Sequence, residues 1–199
     1  MATLRAFIAL ELPETAKEAL AATQMEMQNA ARRRRLPVGQ ALRWVAPEGI
    51  HLTLKFLGNV DSDAVADLER AVAAAADGLA APRLGLGPLG AFPDPRQPRV
   101  LWVGLTGDLE TVARLQQRLE GNLAQLGFAP ERRRFSPHLT LARVREQIGP
   151  DERKAVADLV AGGTSVSAFA FRADQLSLMK SELRPTGARY EALFTVHLR

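Results

Sequence analysis

The tetrapeptide His-Leu-Thr-Leu occurs twice, at residues 51–54 and again at 138–141, and this repeat narrows what the chain can fold into. In an extended strand successive side chains point to opposite faces. Each copy therefore sets a histidine and a threonine on one face, His51 with Thr53 and His138 with Thr140. Its two leucines lie on the other face and belong in a core. The polar faces carry an imidazole and a hydroxyl roughly 6–7 Å apart along the strand. The two copies use two of the three histidines and lie about half the chain apart, as two similar lobes would require.

Local patterns support an α+β reading. Residues 5–10 (RAFIAL) read as a buried strand stopped by Pro13, and 14–31 as a helix ending in the charge run Arg32–Arg35. A short strand at 42–45 and a Pro-Glu-Gly turn precede the first HLTL strand, which runs to Leu57. An alanine-rich helix at 64–77 follows, then strands at 83–89 and 99–105 joined by a loop with three prolines. The leucine spacing of 108–126 predicts a helix closed by Gly127. After the second HLTL strand (138–143) come a helix at 151–161, strands near 165–171 and 175–180, a turn at 184–187 and a last strand at 189–198. Each half thus holds an HLTL strand, a helix and a strand pair. The expectation is one domain over 1–199, made of two pseudosymmetric lobes. Each lobe is an antiparallel sheet with helices outside, and a central cleft lies between the two His/Thr faces.

Composition removes several function classes. Without cysteine there are no disulfides, no thiolate nucleophile and no Cys-based metal or iron–sulfur site. The N-terminal stretch lacks the charged and apolar regions of a signal peptide, and no run of apolar residues is long enough to span a bilayer. A cytoplasmic location and no membrane partner are expected. Lys and Arg total 26 against 22 Asp and Glu, a net charge of +4 weighted toward arginine. Such a surface suits a polyanion such as RNA, and a GC-rich coding bias would produce it equally. The runs Arg32–Arg35 and Arg132–Arg134 read as a solvated helix end or as RNA contacts.

Two imidazoles can hold opposite protonation states near neutral pH, which equips them for concerted acid–base chemistry. Threonine hydroxyls beside them can hold phosphate oxygens in line for attack. No carboxylate or thiol is placed as a nucleophile, which leaves water or a substrate hydroxyl. Threonine at the position two after each histidine is a poor zinc ligand, so no metal site and no cofactor are expected. Lys55 shares the His51 face by strict alternation, and Phe56 falls on the leucine face. Strict alternation also puts Arg143 on the leucine face, so a bulge would be needed to bring it to the histidines. From the residues alone, an ion pair at the surface serves Arg143 as well as a phosphate. Trp44 and Trp102 read as core, Tyr190 as core or base platform, and His197 as a surface residue.

The paired His-x-Thr-x motifs resemble those of the 2H phosphoesterases. The flanks RAFIALELP (5–13), RWVAPEGIHLTLKFLG (43–58), LGAFPDPRQPRVLWVGL (89–105), FSPHLTLARV (135–144) and SELRPTGARYEAL (181–193) are similar to bacterial RNA 2′,3′-cyclic phosphodiesterases, also named 2′-5′ RNA ligases. The resemblance implies metal-independent hydrolysis of RNA 2′,3′-cyclic phosphate ends to 2′-phosphates. His51 would be the acid for the departing 3′ oxygen and His138 the base for water. Thr53, Thr140 and Arg143 would hold the phosphate. The implied partner is RNA with a cyclic end, or a small cyclic nucleotide, met by a monomer. Reverse 2′-5′ ligation and a non-catalytic basic RNA-binding module are the alternatives.

Overall fold

The computed structural model describes residues 2–162, 166, 169–184 and 187–199. Parts of the strand expected near 165–171 and of the turn expected at 184–187 lie outside the described residues. Among the described residues there are nine strands: β1 (Thr3–Leu10), β2 (Leu42–Trp44), β3 (Leu52–Asp61), β4 (Arg83–Phe92), β5 (Val100–Gly107), β6 (His138–Val144), β7 (Ala170–Arg172), β8 (Gln175–Arg184) and β9 (Gly187–His197). The helices are α1 (Glu14–Arg33), α2 (Val65–Ala76), α3 (Leu109–Gln125) and α4 (Pro150–Ala161). Two antiparallel sheets result, ordered β3-β1-β8-β9 and β2-β6-β5-β4-β7.

The two sheets do not coincide with the two halves of the chain. β3 and β6 carry the HLTL motifs, and each pairs on one side with the strand that precedes it across a helix, β1 or β5. The next strand in each sheet comes from the other half: β8 pairs with β1, and β4 pairs with β5. The repeating unit is therefore strand–helix–HLTL strand–helix–strand, and the two units exchange their last strands. The pair expected to complete the first lobe, β4 and β5, lies in the sheet of β6 instead, and the pair expected in the second lobe is split, β7 joining β4 and β8 joining β1. Pairing between distant strands is set by which apolar faces meet, which local patterning does not encode.

The helices follow the same exchange. α2 packs on β8 and β9 while α3 packs against β3; α1 reaches β7 and α4 reaches β4. Their apolar stripes, such as Val112, Leu115, Leu119 and Leu123 on α3, are fully buried with the motif leucines Leu52, Leu54, Leu139 and Leu141. Burying such stripes stabilises the fold by about 1.5–3 kcal/mol per large side chain. The outer faces of both sheets are thus sealed, and the inner faces are left to form the site.

Both HLTL strands carry a β-bulge at the same place. Along β3, Leu52 lies opposite Leu10 and Thr53 opposite Ala9, but Lys55 lies opposite Ile8 and Phe56 opposite Phe7. Leu54 is the extra residue. Along β6, Thr140 lies opposite Trp102, Ala142 opposite Leu101 and Arg143 opposite Val100, so Leu141 is extra. After each bulge the alternation is inverted: Leu54 and Lys55 are both buried, as are Leu141 and Ala142.

Candidate active site

The inversion decides which side chains share the His/Thr face. Arg143 comes to it and is exposed there, beyond Thr140. Lys55 leaves it. Contrary to the reading by alternation, Lys55 is 7% exposed and its ammonium donates to Glu120 Oε2 at 2.7 Å and to the Ala129 carbonyl at 2.8 Å, beside α3. Phe56 takes the position that Arg143 holds in the other strand, and it is 65% exposed rather than core. The bulge at Leu54 that corrects these two residues is the counterpart in β3 of the one at Leu141 in β6 that Arg143 requires.

His51 immediately precedes β3 and is wrapped in aromatic rings. Phe7 of β1 stacks on it with centroids 4.6 Å apart and planes 26° apart, and Tyr190 of β9 meets it edge-on at 5.0 Å. Tyr190 is thus a wall of the site. Phe7 itself is sealed by His51, Tyr190 and Phe56, and with Ala9 and Met179 it forms a small apolar cluster on the inner face. Burial in this cluster disfavours the charged ring, and the nearby Arg143 guanidinium opposes a second positive charge. A hydrogen bond with the Gly49 backbone partly compensates, and the His51 pKa falls from 6.5 to about 4. At pH 7 this imidazole is neutral.

His138 opens β6 and repeats the arrangement. Its Nδ1 donates to the carbonyl of Ser136 at 2.7 Å, as Gly49 partners His51, so each ring bonds the backbone two residues before it. A carbonyl only accepts, which fixes a proton on Nδ1 and leaves Nε2 as the ring's other polar atom. Phe92 meets the ring edge-on at 4.9 Å and Trp102 lies 6.2 Å away. Trp102 is therefore part of the inner face, not core. Its indole lies so close over Gly90 that a Cβ there would stand 2.3 Å from the ring. Trp44 packs against the core as expected, and His197 is exposed at the end of β9.

β3 and β6 approach one another, and the Arg143 guanidinium of β6 is close enough to act electrostatically on His51. The inner faces of the two sheets thus bring His51, Thr53 and Phe56 toward His138, Thr140 and Arg143. No group of three or more His, Cys, Asp or Glu able to hold a metal occurs among the described residues. Of the arginine runs, Arg33 pairs with Glu26 at 2.6 Å and Arg34 donates to the Asp158 carbonyl at 2.9 Å, so that run closes α1. Arg132–Arg134 are exposed on the approach to β6.

Sequence comparison agrees with the fold. A model of the 2′-5′ RNA ligase superfamily matches residues 12–185. The chain belongs to the 2′-5′ RNA ligase superfamily. The resemblance to 2H phosphoesterases drawn from the paired motifs is borne out. Superfamily relatives include the RNA 2′,3′-cyclic phosphodiesterase of Methanothermobacter thermautotrophicus, 33% identical over 187 residues covering 94% of this chain and 95% of that one. The enzyme of the same name from Methanocaldococcus jannaschii is 28% identical over 190 residues, covering 96% and 98%. Among solved structures, TT0787 of Thermus thermophilus superposes with a TM-score of 0.77 at 25% identity over 98% of each chain. Escherichia coli LigT complexed with 3′-AMP gives a TM-score of 0.67 at 24% identity over 99% of each, a likeness of fold. No helix among the described residues is long and apolar enough to cross a membrane.

Residues of the site that alternation did not reveal are Phe7, Phe56 and Phe92. Phe7 and Phe92 reach the histidines from β1 and β4, distant in sequence, and only the sheet pairing brings them there.

Proposed function

We propose that this protein hydrolyses RNA 2′,3′-cyclic phosphate ends to 2′-phosphomonoesters, with His51 and His138 as its acid–base pair. The single observation that carries the reading is the duplicated, bulged His/Thr strand on two facing sheets. It occurs in a chain whose relatives bear the name RNA 2′,3′-cyclic phosphodiesterase. Thr53, Thr140 and Arg143 hold the nonbridging oxygens. Water attacks phosphorus and passes a proton to one imidazole; the bond from phosphorus to O3′ breaks, and the other imidazole protonates that oxygen. The net change is addition of one water. Ligation is the same ring opening with the 5′-hydroxyl of a second RNA attacking phosphorus in place of water: its proton passes to one imidazole, the P–O3′ bond breaks, and the other imidazole protonates O3′. The reading takes the protein as a cytoplasmic monomer that works without a metal.

The pair needs one proton between its two rings. His51, kept neutral in the free protein at pH 7 chiefly by burial, serves as leaving-group acid by taking its proton with the substrate, whose negative charge favours the imidazolium directly. A cyclic phosphorothiolate with sulfur at the 3′ position needs no acid. It restores turnover to His51→Ala if His51 is the acid, and to His138→Ala if the roles are reversed. The test of the function itself is product analysis on RNA oligomers ending in a 2′,3′-cyclic phosphate. The expected product is a 2′-phosphate, lost in both His51→Ala and His138→Ala while far-UV dichroism is retained. Undiminished turnover by either variant overturns the proposal.

A further inference from the structure

The two sheets differ at the edge beside their motif strands. β3 ends its sheet, whereas β6 is flanked by one more strand, the three-residue β2. In that pairing Arg43 lies directly opposite Arg143, with Leu42 opposite Val144 and Trp44 opposite Ala142. Residues directly opposite in an antiparallel pair project to the same face. Arg43 therefore joins Arg143 on the inner face, on strands about 4.8 Å apart, and both are exposed. Two like charges placed opposite each other oppose strand pairing. Among the described residues neither arginine has an ion-pair partner.

The fold nevertheless fixes this pair. The buried Gln24 of α1 donates from Nε2 to the Val45 carbonyl at 2.8 Å and to the Leu141 carbonyl at 3.0 Å. Leu141 is the bulge residue of β6, and its carbonyl also accepts from the Val45 amide at 2.9 Å. One amide side chain thus ties the end of β2 to the bulge that turns Arg143 inward. The cleft becomes directional: two guanidiniums on the β2–β6 side, and Phe56, Phe7 and Tyr190 on the other.

We propose that Arg43 binds the phosphodiester on the 5′ side of the terminal nucleotide, making the site selective for an RNA strand over a nucleoside cyclic phosphate. This rests on the phosphodiesterase reading above. Arg143 is left for the cyclic phosphate, and Arg43 takes the next anion along the strand, with a forked guanidinium suited to two nonbridging oxygens. No covalent step involves it.

The experiment compares kcat/KM for a short RNA ending in 2′,3′-cyclic phosphate with kcat/KM for a nucleoside 2′,3′-cyclic phosphate. It uses wild type, Arg43→Gln and Arg43→Lys. The ratio is expected to fall about tenfold in Arg43→Gln, mainly through KM, with partial recovery in Arg43→Lys, and the salt slope of oligomer binding to drop by about 0.7–0.9. Replacing the 5′-side phosphodiester by an uncharged methylphosphonate lowers the wild-type ratio by a similar factor and the Arg43→Gln ratio no further. An unchanged ratio in Arg43→Gln, or equal methylphosphonate effects in both proteins, overturns the inference. If wild type turns over neither substrate, the phosphodiesterase reading itself has failed.

Discussion

Acid should weaken this protein through His51 in a way that can be measured. The ring is buried against Phe7 and Tyr190 and has a pKa of about 4, against 6.5 in an unfolded chain. Between those values the unfolded chain takes up a proton that the folded one refuses. The contribution of neutral His51 is therefore intact above pH 6.5 and is lost as pH falls toward 4. At about 1.4 kcal/mol per pH unit the complete loss is about 3 kcal/mol, and by pH 4.5 it has reached about 2.5 kcal/mol. Other titrating groups contribute to the same pH range, so the informative comparison is with His51→Asn, which keeps them and removes the imidazole. Urea denaturation of both proteins at pH 7 and pH 4.5 should show the wild type declining by about 2 kcal/mol more, roughly 1 M in midpoint. Proton NMR of the His51 ring should give a midpoint near 4. Equal declines in the two proteins would refute burial as the source of the neutral ring.

One limb of kcat/KM should lie near pH 4, where the His51 ring takes up a proton, and its position is read directly from the free-enzyme profile. Lys55→Met leaves Glu120 without its 2.7 Å partner and should cost about 3–5 kcal/mol in denaturant unfolding, most of it recovered by adding Glu120→Leu. Phe56→Ala, at a position 65% exposed, should change stability by less than about 0.5 kcal/mol, yet raise KM for a cyclic nucleotide about tenfold by removing a stacking surface. Gly90→Ala forces the Trp102 indole off its seat and should lower stability by about 1–3 kcal/mol, with kcat falling because Trp102 lies beside His138; thermal melts and steady-state kinetics check both.

How far the residues alone led depends on the range of the interaction involved. Helix stripes such as that of α3 and the alternation within each tetrapeptide are local, and the helices and the His/Thr faces lie where those patterns place them. The bulges at Leu54 and Leu141 arise from pairing with β1 and β5, so Lys55 and Phe56 could not be assigned faces without the partner strands. Arg143 was recoverable because the resemblance demanded a phosphate contact that alternation forbade, and a bulge was the way to reconcile the two. The aromatic cage of His51 draws Phe7 and Tyr190 from opposite ends of the chain, and the low pKa of that ring follows from tertiary packing alone.

The exchange of β4 and β8 between the two repeat units means that neither half of the polypeptide can stand by itself. A fragment ending after β4 would hold one histidine strand and a terminal ribbon whose natural neighbour, β5, is missing; the complementary fragment would have the mirror deficit. Two such pieces mixed together can regenerate catalysis only by reassociating into the complete interlocked body. A gene encoding a single unit would have to operate as a pair of identical subunits clasping each other's last ribbon.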